Sequence, residues 1–202
     1  MTWGFLHEIG RKIIHITILI VLAAFFIIQD ILVSAGYTPT LAKQVALLSL
    51  VALLIVFLVL EYFRLELNWK MPFFSQFIRA KEQHRMYGVI YFLSATTISL
   101  AVFDYKIALA ALLMTTFGDM AAALIGKRYG TTLIYGNKTW AGFSGELAVN
   151  LIVGFLILDS IYVILGMAIV ATIVETLVDE LDDNLLIPIF SGFVGQIILF
   201  SL

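Results

Sequence analysis

The chain has 202 residues, 62% of them hydrophobic and only 13% charged, with a formal net charge of −2. In water a polymer this apolar would leave large apolar surfaces exposed, and its balanced charge supplies no basic field for nucleic acid. It contains no cysteine, which excludes disulfides, thiolate metal sites and cysteine nucleophiles.

The composition is that of an integral membrane protein, in which about 20 mostly apolar residues make one spanning helix. The first such stretch, roughly residues 13–34, is preceded by a polar edge of Glu8, Arg11, Lys12 and His15. Basic residues there ordinarily anchor to lipid headgroups; a histidine at the start of an apolar run is less usual. Arg11-Lys12, the apolar run and Val33-Ser34-Ala35 also outline a cleavable signal peptide. The run is long for that role, and it is read here as a span. Gly36-Tyr37-Thr38-Pro39 is a tight turn into the second stretch, 41–63. Segment 64–86 then mixes Arg64, Lys70, Arg79 and Arg85 with Trp69, Phe73 and Phe77. That alternation predicts an amphipathic helix lying on the membrane surface, either as an anchor or as a lipid-headgroup access site.

Five further stretches follow, at 87–103, 107–126, 143–158, 161–179 and 185–202. Asp104-Tyr105-Lys106 and Asp159-Ser160 supply turns between them. The expected fold is all-α, a polytopic bundle of about seven spanning helices forming one membrane-embedded domain over residues 1–202. Orientation follows from the cations. With the N-terminus inside and the C-terminus outside, Arg11, Lys12, Arg64, Lys70, Arg79, Lys81, Arg85, Lys127, Arg128 and Lys138 are cytoplasmic, and only Lys43 and Lys106 are not. The same orientation puts every polar cluster on the cytoplasmic side, where a water-soluble reactant would meet them.

Three clusters beyond the first carry chemistry. Asp119 lies inside an apolar stretch, on a strip of small residues with Ala122, Ala123 and Gly126, and with Gly118 just before it. Small strips permit close helix packing, but packing does not account for an intramembrane carboxylate. The loop Lys127–Gly142 brings together Lys127, Arg128, Lys138, hydroxyls and glycines, a composition suited to cradling phosphates or to an ordinary basic loop. Its spacing misses the P-loop pattern and no strand precedes it. At about 100° per residue the spacing of Glu175, Asp179, Asp182 and Asp183 places all four on one helical face. They are either a Mg²⁺ site or a solvated acidic cap between two helices.

In order along the chain stand Glu-x2-Arg-Lys-x2-His (Glu8–His15), Gly-Asp-x-Ala-Ala-x3-Gly-Lys-Arg-x-Gly (Gly118–Gly130), Asn-Lys-Thr-Trp-x-Gly-x-Ser-Gly (Asn137–Gly145) and Glu-x6-Asp-Asp-Asn-x3-Pro (Glu175–Pro188). This series resembles the polyprenol kinase family, which includes dolichol kinase, phytol kinase and CTP-dependent diacylglycerol kinase. One departure is Ala141, where the family pattern often has an acidic residue. The resemblance implies transfer of the γ-phosphate of a nucleoside triphosphate, commonly CTP, to the hydroxyl of a membrane lipid alcohol. Under it, Asp119 and Asp183, with Asp182 or Glu175, hold Mg²⁺ between phosphates. Lys138 and Lys127 hold the β- and γ-phosphates, assisted by Arg128, Thr139, the glycines Gly118, Gly126 and Gly130, and the basic pair Arg11 and Lys12. Glu175 or Asp179 accepts the proton of the lipid hydroxyl, with His15 as a further candidate.

Two other functions stand beside this one. A CTP-dependent phosphatidate cytidylyltransferase shares the Gly-Asp and acidic motifs loosely, although its longer Asp-rich signature is absent from the chain. A small ion-coupled carrier would use Asp119 and Glu175 for cations, but it needs polar residues reaching the far side, and the outer half is almost purely apolar. A homo-oligomer is compatible with the sequence, which gives it no support.

Overall fold

The computed structural model describes residues 19–67, 86–178 and 181–202. Among them are seven helices: α1 (Leu19–Ser34), α2 (Pro39–Glu66), α3 (Gly88–Val102), α4 (Tyr105–Tyr129), α5 (Trp140–Ile157), α6 (Ile161–Leu177) and α7 (Asp183–Ser201). Two short strands, β1 (Leu133–Tyr135) and β2 (Lys138–Thr139), lie between α4 and α5. The chain forms two compact units, residues 1–97 and 98–202.

In the first unit the turn after α1 closes through Gly36, whose φ of +91° suits a residue without a Cβ. Thr38 then caps α2, its hydroxyl accepting from the Leu41 amide at 3.3 Å, and Pro39 fits the first turn, where its missing N–H costs nothing. Thr38→Ala removes only this cap, so we expect a loss of about 1 kcal/mol in thermal or denaturant unfolding and no change in activity. Most of α2 is apolar and outward-facing, with Leu48, Ile55, Val56 and Val59 exposed. Its one buried carboxylate is Glu61, which is fully satisfied. Arg64 donates to both of its oxygens at 2.8 and 2.6 Å, and the Tyr87 amide donates at 3.0 Å. The guanidinium also stacks 4.0 Å from the centre of the Tyr87 ring.

The second unit is built on α4, which packs along α5 and against α7, while α6 joins α5 and α7. Ile107, Ala108, Ala111, Leu112 and Met114 of α4 are buried. Small residues set the approach of neighbours. A Cβ on Gly192 would lie 2.4 Å from the Phe103 ring, and one on Gly195 would lie 2.5 Å from the Met167 sulfur. Buried hydroxyls of Thr115, Thr116, Thr172, Thr176 and Ser191 donate to carbonyls four residues earlier, which satisfies them without water.

All seven expected helices are present, most within a few residues of their expected bounds. Four of them, α2, α4, α5 and α7, are long and apolar enough to cross a membrane. At 1.5 Å per residue the 15 residues of α3 and 17 of α6 reach only ~22 and ~25 Å, short of a hydrocarbon core of ~30 Å. The expected surface helix at 64–86 begins differently, because Arg64, Leu65 and Glu66 complete α2. Its remaining residues, 68–85, lie outside the described residues, as does the polar edge Glu8, Arg11, Lys12 and His15.

Candidate active site

Composition predicts a single loop over residues 127–142. Instead α4 continues through Lys127, Arg128 and Tyr129, because two cations in the last turn complement the partial negative charge of the helix end. Gly130 caps the helix, its amide donating to the Gly126 carbonyl at 2.9 Å. The chain then forms a hairpin that pairs Leu133 with Thr139 and Tyr135 with Lys138. It turns at Gly136, whose φ is +52°. This five-residue hairpin is a small addition to a chain that is otherwise all-α, as expected; its signal is the Tyr135-Gly136-Asn137 turn between two short β-prone runs.

Thr139 ends the hairpin and starts α5, its hydroxyl accepting from the Gly142 amide at 3.1 Å. The glycines expected to approach a phosphate make room for this cap. A Cβ on Gly126 would lie 3.1 Å from the Thr139 hydroxyl, one on Gly130 2.5 Å from it, and one on Gly142 2.9 Å from the Ala122 carbonyl. Close packing of α4, the hairpin and α5 therefore accounts for all three.

The cap fixes the neighbouring Lys138, whose ammonium pairs with Glu175 Oε1 near the end of α6. Glu175 is buried, while Lys138 keeps about a third of its side-chain surface. Burial disfavours the lysine cation, but Glu175, and beyond it Asp183 and Asp119, outweigh that cost and raise its pKa above the usual value. Residues from α4, α6 and α7 thus act on one cation carried by β2.

The acidic run does not lie on one helical face. Helix α6 ends at Leu177, Val178 is extended, and α7 begins at Asp183. Asp182 is the cap that divides them, its carboxylate accepting from the amide and side-chain nitrogen of Asn184 at 3.0 and 2.8 Å. Asp-Asp-Asn favours this helix start over continuation of α6. Asp179 lies outside the described residues.

Two residues that the sequence reading passed over stand beneath the lysine pair. Glu146 and Asn150, one turn apart on α5, are 1% and 0% exposed. Asn150 Nδ2 donates to Glu146 Oε1 at 3.4 Å and to the Thr172 hydroxyl at 3.1 Å. The other Glu146 oxygen, Oε2, is buried with no hydrogen-bond partner among the described residues, and the charges of Glu175 and Asp119 act on the group. A Cβ on Gly118 would lie 2.5 Å from Asn150 Oδ1, so the glycine beside Asp119 admits this amide. The available signal was a glutamate and an asparagine at i, i+4 inside an apolar run, polar groups that membrane helices do not carry idly.

Asp119 is buried within α4 at 8% exposure. Among the described residues no three carboxylate or imidazole side chains converge to hold a metal ion by themselves. The donors around Lys138 are nevertheless all hard oxygens, and Mg²⁺ takes one or two carboxylates together with substrate phosphate oxygens. The residue types fit Mg²⁺ on those terms.

Comparison with curated proteins finds similarity to CTP-dependent diacylglycerol kinase 1 of Saccharomyces cerevisiae, 29% identical over 156 residues. The match covers 72% of this chain and 49% of the yeast protein, so the chain spans about half the length of the curated relative it matches. No family profile matches the chain. No solved structure matches it. The likeness to a lipid kinase supports the family resemblance carried by the four motifs.

Proposed function

We propose that this chain is a CTP-dependent lipid kinase, transferring the γ-phosphate of CTP to the hydroxyl of a membrane lipid alcohol. The observation that carries the reading is the meeting of Lys138 with Glu175, in the field of Asp119 and Asp183, residues drawn from separate stretches of sequence. Phosphoryl transfer asks chiefly for positioning and charge neutralisation, and a lysine among carboxylates beside a basic helix end serves both. The relative's name supports CTP as donor and a lipid alcohol as acceptor.

In this reading Lys138 and Lys127, with Arg128, hold the β- and γ-phosphates, and the motif resemblance adds Arg11 and Lys12, which lie outside the described residues. Thr139 and the glycines Gly118, Gly126 and Gly130 shape the cradle. Asp119 and Asp183, with Asp182 or Glu175, hold Mg²⁺, which when bound neutralises phosphate charge. The lipid hydroxyl oxygen attacks the γ-phosphorus, its proton passes to Glu175 or Asp179, and CDP leaves with the bridging oxygen. His15 is a further candidate for that proton. The whole chain acts as one membrane-embedded catalytic domain with N-terminus in and C-terminus out, the site facing the cytoplasm and the lipid arriving laterally.

The test uses purified protein in detergent with Mg²⁺ and CTP labelled at the γ- or α-phosphate. Phytol, short polyprenol, dolichol and diacylglycerol serve as acceptors, with phosphatidate as contrast. We expect γ-label in one of the alcohols. Label from the α-phosphate appearing only with phosphatidate would instead establish a cytidylyltransferase, and no transfer in either arm would turn attention to an ion-coupled carrier.

A further inference from the structure

Asn150, fully buried on α5, has its place set from three helices. Its Nδ2 donates to Glu146 Oε1 at 3.4 Å on its own helix and to the Thr172 hydroxyl at 3.1 Å on α6. Thr172 already gives its hydrogen to the Ala168 carbonyl at 2.9 Å, so toward Asn150 the hydroxyl can only accept. Acceptors on that side fix the NH₂ group there and turn Oδ1 the other way. Oδ1 ends against the bare Cα of Gly118 on α4, where a Cβ would stand 2.5 Å from it and 3.2 Å from the Asn150 Cγ. Among the described residues this oxygen has no hydrogen-bond partner. An unsatisfied buried oxygen is a cost that an apolar side chain would avoid, so stability alone does not select the amide.

We infer that Asn150 is a positioning residue that holds α4 and α6 at the spacing the reaction needs, an inference that rests on the kinase reading above. Gly118 directly precedes Asp119 on α4, and Thr172 precedes Glu175 by three residues on α6. The amide therefore bridges the turns of the two helices that carry these carboxylates. Helix α4 packs far more extensively along α5 than against α6, so the placement of Asp119 relative to Glu175 is transmitted through α5. The NH₂ group of Asn150 ties α6, and its oxygen seats in the notch left by the missing Gly118 side chain. Buried as it is, Asn150 acts through these carboxylates and not on the substrate.

The chain has no cysteine, so cysteines introduced at exposed Leu124 on α4 and Ile173 on α6 take spin labels alone. Pulsed EPR in detergent then reads the distance between the two helices without any catalysis. In Asn150→Leu we expect that distance distribution to shift or broaden. We expect kcat to fall about 10²-fold with KM for CTP nearly unchanged, the scale of an ångström-level misplacement. Thr172 supplies a milder pair of variants, which decides even if Asn150→Leu fails to fold. Thr172→Val keeps the shape and removes the acceptor, and should lower kcat about tenfold, the scale of one hydrogen bond. Thr172→Ser keeps the acceptor and should stay within about threefold of the parent. A folded Asn150→Leu with the parental distance or the parental kcat overturns the inference, as does a Thr172→Ser impaired as much as Thr172→Val. A parent that transfers no phosphate, with the distance still responding to Asn150→Leu, refutes the kinase reading alone.

Discussion

We expect Lys138→Met to lower kcat for the proposed γ-phosphate transfer about 10³-fold or more, the scale of losing a preorganised charge aimed at the transferring group. It also destabilises the fold. Glu175 is only 3% exposed and loses the cation that offsets its burial. A fully buried pair broken on one side costs about 3–5 kcal/mol and an exposed one below about 1; with Lys138 partly open, we expect on the order of 2 kcal/mol. The double variant Lys138→Met/Glu175→Gln separates these effects. Removing the second charge restores thermal stability in detergent while activity stays lost, since the repair concerns burial and not phosphate binding. The pH dependence has a definite sign. The lysine pKa is raised above its usual 10.5, so the pair's stabilising contribution is fully present below that value. It disappears as pH rises through the folded-state value. The difference in melting temperature between wild type and Lys138→Met should therefore be flat through neutral pH and shrink only in strong alkali.

Asp119→Asn is expected to separate activity from stability. The carboxylate sits at 8% exposure within α4, a helix of mostly apolar residues, where an ionised group is costly. The amide has the same shape without the charge, so the variant should stay folded and melt close to the wild-type temperature. If Asp119 helps to hold Mg²⁺ between phosphates, transfer drops about 10³-fold and is not recovered at saturating CTP. Wild-type turnover in a folded Asp119→Asn protein would remove the metal role. Functional carboxylates held against their solvation preference are often kept for activity, at no gain in stability.

Much of this was legible because membrane helices announce themselves. Long apolar runs set all seven helices, and Gly36, Thr38 and Asp104 mark helix ends through turn and cap chemistry. The errors came where local capping competed with periodicity. A helical wheel through Glu175 to Asp183 ignores the break that Asp182 makes by capping α7. The basic loop was read by composition, so Gly136 and the pairing of Tyr135 with Lys138 went unnoticed. Lys138 and Glu175 were both singled out, but not as partners, since 37 residues separate them and only the packing of α5 and α6 brings them together. Glu146 was lost in an otherwise apolar span.

Helix α6, at 17 residues, carries a consequence for the lipid around it. A segment several ångströms shorter than the surrounding hydrocarbon is accommodated by thinning of the adjacent bilayer, at fractions of a kcal/mol per ångström. Glu175 stands two residues from the end of that helix. Such a dimple lowers the headgroup plane toward the depth of the carboxylate, and any lipid whose hydroxyl rides at that plane is carried down with it. Under the proposed kinase reading, with α6 spanning, the protein would shape the membrane to present the alcohol, and thicker, more ordered bilayers would oppose transfer.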